Sequence, residues 1–551
     1  MTPQHSPPDP TQALFGNLLD ERLLHYRRTG TGERVATTLP ELFVAMAQDQ
    51  VRDFPALRPH QRHPWHAFLV QLAAIALHRA GHTEPFATVD EWRAGLLALT
   101  PNDPDGAAWC LVSPVERPAF MQAPVLAGLN SKWETKIAAD EIDVIKASKN
   151  HDLKSQRMTR TTSADWIFAL ISLQTQSPGD SGSYKESSRM DGGWGRRPGI
   201  GIVPPGGYGC RWLRDQKILL SERSNISEKF GLDQKGVALT WLLPWDGSAH
   251  GSLTVSALDP FYIEVSRRIR IICESGAVKA KTATTPSPRI KPIEGGLTGD
   301  IWSPIDSDKD GRKVLTVRPA GFNYKTAVNL LVPGRFELAP AMKIQRSDPP
   351  VGLTLHMQSI AWGPKNTNAG YHEREVRIGK KLAVMLSAMK QLEIDKLAEI
   401  SKSRVAQIHE VSWMLEQALA VLFTNGAQSE SSKRNDSIKE RAKRFSQPFE
   451  AQCDAQFFPE LINEIEADDR EAVREKWLLA LADRAERVLQ SAFDAGPRSG
   501  QLRYRAQSEA LRRLHSTMRS DKSKLPALVQ ALKSKKSTPF TSTDEEPHEH
   551  A

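Results

Sequence analysis

IHEVSWMLEQALAVLFTNG, residues 408–426, decides the architecture of the C-terminal third of this 551-residue chain. Ile408, Val411, Leu415, Leu419 and Leu422 recur every three or four residues and so share one face of an α-helix; Asn425-Gly426 supplies a C-terminal stop. The spacing repeats on both sides. Leu382, Met385, Leu386, Met389 and Leu392 fall on one helical face upstream. Downstream, a helix is expected from about Ser437, and another in which Val473, Trp477, Leu481, Arg484 and Val488 follow the start signal Asp468 to Glu471. A last one is expected at about 501–519. Long amphipathic helices with short connections bury their stripes on one another, so residues 371–536 are expected to form a four-helix bundle.

Before about 370 the texture differs. Pro64 to Arg79, Asp90 to Leu99 and Trp166 to Leu173 read as helices. Between about 199 and 335 come short apolar or β-branched runs, Ile218–Leu220, Leu253–Val255, Tyr262–Val265 and Val314–Val317, separated by Gly, Pro, Asp and Ser. The fold class is therefore α+β: a large irregular mixed body over 14–370, then the bundle. Residues 1–13 are Pro-rich and polar, and 537–551 carry Asp544, Glu545, Glu546 and Glu549; both ends are expected to be disordered.

Charge points to an anionic partner. The chain has 73 Lys and Arg against 65 Asp and Glu, a net charge of +8, with a pI near 9.1. Between Arg498 and Lys536 eleven basic residues face only Glu509 and Asp521, a local +9 that exceeds the total. Cys110, Cys210, Cys273 and Cys453 are far apart, with no zinc spacing, and read as buried thiols in a reducing compartment. The longest apolar helix candidate, Phe68 to Leu77, is about ten residues and contains Gln71, too short to span a bilayer. A cytoplasmic protein is expected.

The stretch Gln174 to Gly209, QTQSPGDSGSYKESSRMDGGWGRRPGIGIVPPGGYG, leaves an apolar run and turns to Gly, Ser, Pro, Arg and Lys. Glycine lets backbone approach a ligand, and the cations attract phosphate, so the loop reads as an anion contact. Arg267, Arg268, Arg270, Lys279, Lys281, Arg289 and Lys291 form a second basic stretch that reads as an exposed loop. A third polar loop, Gly363 to Gly370, carries Lys365, Asn366 and Asn368, amide and ammonium groups suited to a DNA groove.

Catalytic signatures are missing. The Gly-rich stretch has neither GxxxxGK[ST] nor a strand-turn-helix GxGxxG. Asp306-Ser-Asp308-Lys-Asp310-Gly311 copies half a calcium loop, but its twelfth position is Val317 instead of Glu, which leaves a surface turn. His60, His63 and His66 have metal-ligand spacing interrupted by Pro64, and read as ordinary polar residues before a helix. No GxSxG and no recognisable catalytic Cys occur.

The order of short motifs resembles a family, the large subunit, often called CasA, of the type I-E CRISPR surveillance complex Cascade. The motifs are Asn17-Leu-Leu-Asp20, Arg117-Pro-Ala-Phe-Met-Gln122 (similar to the family's HPFMQ) and Gln176-Ser-Pro-Gly179. Gly299-Asp-Ile-Trp-Ser-Pro-Ile305 (similar to GDPWTPI) and Gly370-Tyr-His-Glu-Arg374 follow, and the likeness runs over roughly 15–520. It implies a non-catalytic protein that recognises a protospacer-adjacent motif in duplex DNA, starts unwinding for guide-RNA pairing and helps recruit a separate helicase-nuclease.

By the same resemblance, the family's groove-reading glycine loop falls on Gly179, Asp180, Ser181 and Gly182, with Lys185 beside it. Its minor-groove lysine is Lys279 or Lys281, and its wedge is Asn368-Ala369, with Lys365 and Asn366 as neighbours. A segment touching guide RNA and anchoring the subunit falls on Lys149, Asn150 and His151. Asp180 would repel phosphate. The mid-chain cysteines of some members are reduced here to Cys273, so no metal or other cofactor is expected. Two other readings of the residues stand beside it: a phosphate-handling or metal-dependent nuclease with the Gly-rich loop as anion cradle, and a scaffold whose bundle packs on partners.

Overall fold

The computed structural model describes residues 14–145, 158, 160–179, 182–190, 197–293, 296–307, 313–362, 369–388, 390–427 and 436–537. The chain divides into two compact units, residues 1–322 with 329–377, and 323–328 with 378–551.

The first unit is organised around helices that are apolar on nearly every face. α1 (Leu39–Ala47) opens with a capping box in which Thr38 and Glu41 satisfy each other's backbone N–H. α2 (Arg62–Arg79) buries Trp65, Phe68, Leu69, Leu72, Ile75 and Ala76 among others, the signature of an interior helix. Pro64 sits in its first turn, where no intrahelical N–H is lost, so His63 and His66 belong to the helix instead of preceding it. α3 (Val89–Leu97) buries Trp92. α4 (Ser163–Gln176) and α5 (Tyr208–Phe230) both pack on α2. Trp65, Trp92, Trp109, Trp166, Trp212, Trp241 and Trp302 are all buried in this one core.

Small sheets border the helices, so the α+β reading stands, with a helical C-terminal region. Glu134–Lys136 and Arg268–Glu274 flank Ala277–Ala283 in one antiparallel sheet. In another, Thr354–Trp362 lies between Pro198–Val203 and Ala369–Arg377. Two local expectations are corrected. Ile218–Leu220, read as a strand, lies inside α5, where Trp212, Asp215, Ile218, Leu219 and Ile226 make a helical stripe on the core side. Gly370–Arg374, read at the start of the bundle, is strand, and helix resumes only at Lys380.

In the second unit, α6 (Tyr324–Leu331) contributes Tyr324, stacked on Phe457 with centroids 4.8 Å apart. α7 (Lys380–Ala388) is short; Met389, expected to extend its stripe, lies outside the described residues. α8 (Gln391–Phe423) packs against α9 (Asp436–Glu466), α10 (Arg470–Ser491) and α11 (Gly500–Met518), and α12 (Pro526–Ser537) packs on α10. α8 ends as its sequence implies: Asn425 and Gly426 take φ of +58° and +82°, the left-handed C-terminal conformation. Asp469 caps α10 through the Ala472 N–H. Arg404 and Glu464 form a buried pair at 2.7 Å, with Arg474 on the other carboxylate oxygen at 2.9 Å. No helix among the described residues is long and apolar enough to cross a membrane.

Candidate nucleic-acid interface

The glycine loop is held from below by buried side chains. α4 is fixed by its own capping box, Thr162 with Asp165, and its last turn buries Gln174. That amide donates to the Met121 carbonyl at 2.8 Å and accepts from the Arg267 N–H at 2.7 Å. Ser187 N–H then closes the mouth of the loop on the Ser177 carbonyl at 3.0 Å. Thr285 pairs with both Ser183 and Lys185 through backbone bonds of 2.9 and 2.8 Å.

Arg267 spans this loop. Its guanidinium donates to the Pro178 carbonyl at 2.6 Å and to the Lys185 carbonyl, and lies 5.3 Å from the Tyr184 ring centroid. A two-pronged, planar donor suits this position because it reaches two carbonyls at once. Beyond the loop, the fully buried Glu264 carboxylate accepts from Ser188 N–H at 2.8 Å and Ser188 Oγ at 2.6 Å. Burial pushes Glu264 up to about 7, while the Ser188 bonds oppose the shift. A cavity of about 420 Å³ lies against Pro178, Gly179, Tyr184 and Arg267, with Glu134 and Lys136 on its wall.

Of the expected loop residues, Gly179 is half-buried and Gly182 and Lys185 are exposed; Asp180 and Ser181 lie outside the described residues. The two glycines differ. A Cβ on Gly179 would stand 2.2 Å from Glu186 Oε2, whereas one on Gly182 meets nothing within 4 Å. Gly199 and Gly201 are packing residues; Gly192, Gly193 and Gly195 lie outside the described residues. Cβ atoms at Gly199 and Gly201 would fall 2.3 Å from the His63 ring and 2.6 Å from Arg211. Arg197 is buried and donates to the Gly296 carbonyl at 2.7 Å, so it is structural; Arg196 lies outside the described residues.

The second basic stretch is not an exposed loop. Arg268–Glu274 and Ala277–Ala283 form a hairpin turned by Ser275 and Gly276 at φ of +53° and +76°. Three of its arginines are interior. Besides Arg267, Arg270 donates to the carbonyls of Ser113, Pro114 and Arg117, each at 2.9 Å. Arg289 donates to Gly251 at 2.8 Å and Leu243 at 3.1 Å. Burial lowers Arg270 to about 9 and Arg289 to about 10. Their spacing in the sequence resembles a phosphate-binding patch, but their donors are spent on backbone. Lys279 and Lys281 share one strand face by the period of two. Lys279 pairs with Glu274 at 2.9 Å and Lys281 donates to Thr135 Oγ1 at 2.8 Å.

The third polar stretch falls in sequence between the two strands of the other hairpin, whose register runs from Thr354↔Arg377 to Trp362↔Ala369. Lys365, Asn366 and Asn368 lie outside the described residues, as do Lys149, Asn150 and His151; Ala369 is the first residue of the returning strand. On one face of this hairpin stand His356, Gln358, Glu373 and Glu375. His356 Nε2 is 2.7 Å from Glu373 and 3.9 Å from Glu375, a set that could hold a metal ion. Arg211 Nη1 approaches His356 Nδ1 at 3.3 Å and Arg62 approaches Glu373 at 3.4 Å. Both ring nitrogens of His356 are already engaged, Nδ1 by Arg211 and Nε2 by Glu373 and by the Gln358 amide at 2.9 Å. The hydrogen bond from His356 holds Glu373 down to about 2. The group is an ion-pair network bracing the hairpin.

The remaining sequence candidates are also structural. His60 bonds Asp143 at 2.9 Å and His66 bonds Asp215 at 2.9 Å. His63 is held well below the ordinary histidine range by burial. Asp306 is buried against Arg335 at 3.1 Å, while Asp308, Asp310 and Gly311 lie outside the described residues. Cys110 and Cys453 are buried, but Cys210 and Cys273 are half-buried, and all four are free thiols.

The course of the whole chain can be matched to solved structures. Cse1 from Acidimicrobium ferrooxidans superposes with a TM-score of 0.64, covering 95% of this chain and 99% of its own. This chain has the Cse1/CasA fold. CasA from Thermus thermophilus matches at 0.62 over 91% of this chain and 98% of its own. A chain of a CRISPR RNA-guided surveillance complex matches at 0.55 over 91% and 99%. Identities are 15%, 14% and 10%, so the likeness is one of fold. No family model matches the sequence, and no curated protein is similar to it.

The motifs that carry the resemblance lie in the framework of this Cse1/CasA fold. Gln122 is buried and accepts from the Ile271 N–H at 2.5 Å. Asp300 pairs with Arg189 at 3.2 Å, and Trp302 donates to Gln71 at 3.1 Å. Sequence reasoning missed Arg267, Gln174 and Glu264 as the loop's supports. The only signal for them was apolar context around a polar residue.

Proposed function

We propose that this chain is the non-catalytic large subunit of a guide-RNA-directed CRISPR complex of type I-E, working in the cytoplasm. It recognises a protospacer-adjacent motif in double-stranded DNA, starts duplex opening and helps recruit a separate helicase-nuclease. The observation that carries this reading is the Cse1/CasA fold over 95% of the chain. In support, a rigidly anchored glycine loop and a long hairpin belong to the same unit. In this reading Gly179 to Gly182 and Lys185 approach the minor groove, where A·T and G·C are told apart only coarsely. Lys279 or Lys281 follows the groove, and Asn368-Ala369, with Lys365 and Asn366, parts the base pairs. Lys149, Asn150 and His151 contact guide RNA and fix the subunit among its partners.

The test is assembly with guide RNA and the other subunits, followed by binding to targets with and without an adjacent motif. Motif-dependent R-loop formation that requires this chain is the expected result, and equal affinity for both targets would overturn the proposal.

A further inference from the structure

The proposal above leaves the second unit's strongest surface feature unused. α11 opens with five consecutive exposed residues, Gln501-Leu-Arg-Tyr-Arg505, preceded by exposed Arg498. Tyr504 is 74% exposed, the largest exposure among the large hydrophobic side chains of the described residues. Ala506, Ala510, Leu514 and Met518 face the core, so the 3.6-residue period turns Tyr504, Arg505, Ser508 and Arg512 outward on the opposite side. Tyr504 and Arg512 are two turns apart, about 12 Å along the axis.

Neighbouring elements add charge at the same end of the unit. Arg441 on α9 lies over the Phe423 ring at 4.2 Å and donates to the Ala495 carbonyl. Arg503 approaches Asp494 at 3.6 Å, and the Arg505 Cγ and carbonyl pack beside Gly426, leaving the exposed guanidinium end of the side chain for a ligand. Among the described residues, no carboxylate pairs with Arg498 or Arg505, and the Arg503 to Asp494 contact is long and exposed. Arg512 pairs with Glu509 at 2.5 Å on the helix surface, a contact that costs little to exchange for a phosphate. From Arg498 to Arg519 six arginines face one acid, Glu509.

We infer that this face of α11 binds single-stranded nucleic acid, with Tyr504 as a stacking platform and Arg498, Arg505 and Arg512 on the phosphates. A bare charged helix would suit any polyanion. An aromatic ring exposed among arginines suits one whose monomers carry π-faces that are not already stacked, a single strand. The site is in a different unit from the glycine loop and does not rest on the reading of that loop.

The experiment measures anisotropy of a labelled dT20 strand with the full chain at fixed salt. Tyr504→Ala should weaken binding about tenfold, in line with the loss of one stacked base, while Tyr504→Phe keeps wild-type affinity. Arg505→Ala should lower the salt slope by about 0.7, as expected for one phosphate contact on a single strand. An unchanged thermal melt for these exposed positions shows that folding is intact, and bromodeoxyuridine photocrosslinking of the wild type should place the adduct at Tyr504. U20 distinguishes RNA from DNA, and either one bound at this site supports the inference. Equal competition by heparin or by a 20-base-pair duplex, Tyr504→Ala binding like wild type, or a crosslink outside α11 would each overturn it.

Discussion

The Arg267 guanidinium and the Pro178 carbonyl meet at 2.6 Å, at the point where the glycine loop leaves α4. The same guanidinium holds the Lys185 carbonyl where the loop returns. One buried cation therefore sets both ends of the segment proposed to read DNA, and its charge serves carbonyl oxygens instead of phosphates. What this arrangement provides is a loop held at both ends by one side chain.

Replacing Arg267 by Met should free the loop ends and leave two carbonyls short of donors. A stability loss of about 1–3 kcal/mol is expected in chemical denaturation. Hydrogen exchange should rise from Ser177 to Ser187 more than in α4. Arg267→Lys should not restore protection, because one ammonium cannot reproduce the planar fork.

Glu264 makes stability depend on pH in a definite direction. Its folded value, near 7, lies above the ordinary 4.5, so between those values the folded state binds more protons than the unfolded state. Stability from this group is therefore greatest below about pH 4.5 and falls as pH rises to about 7. The full loss is on the order of 3 kcal/mol. Glu264→Gln should flatten that part of the profile, measured by denaturation at pH 5.5 and pH 8.

Gly199 and Gly182 should separate packing from recognition. Gly199→Ala drives a Cβ into the buried His63 ring and should cost about 1–3 kcal/mol by thermal melting. Gly182→Ala has open space on its Cβ side. Because Gly182 has a φ of +158°, which L side chains rarely adopt, the change should cost about 1 kcal/mol of backbone strain while reducing motif-dependent binding in the assembled complex by more than that loss of stability accounts for.

Lys279 and Lys281 can be resolved by salt dependence. In the assembled complex, the lysine that reaches duplex phosphate should lower the slope of log affinity against log salt by about 0.9 when changed to Ala. The other should leave the slope unchanged, since its donors remain on Glu274 or Thr135.

Much of the fold was legible because periodicity is local. The stripe Ile408 to Leu422 and its Asn425-Gly426 stop appear as read, as does the Asp469 start of α10. Ile218–Leu220 misled because three apolar residues suit strand or helix equally, and only the stripe from Trp212 to Ile226 decides between them. The basic stretch from Arg267 to Lys291 was read as loop and surface. Charge in a sequence does not say whether carbonyls or water will solvate it, and the fold brings Ser113, Pro114 and Gly251 to those guanidiniums from far along the chain.

By itself, then, the sequence determined the helical spacing of the C-terminal region, the mixed texture before it and the order of motifs that resembles CasA. These depend on neighbours within a few turns of chain. Tertiary structure alone decided which polar residues work inside. Gln122, Gln174, Arg267 and Glu264 are buried because partners more than 50 residues away satisfy them, and a buried polar group is tolerated only where such partners arrive. The glycine loop was visible as composition, whereas its clamp at Arg267 depends on Gln174 of α4 accepting from the Arg267 N–H across 93 residues of chain.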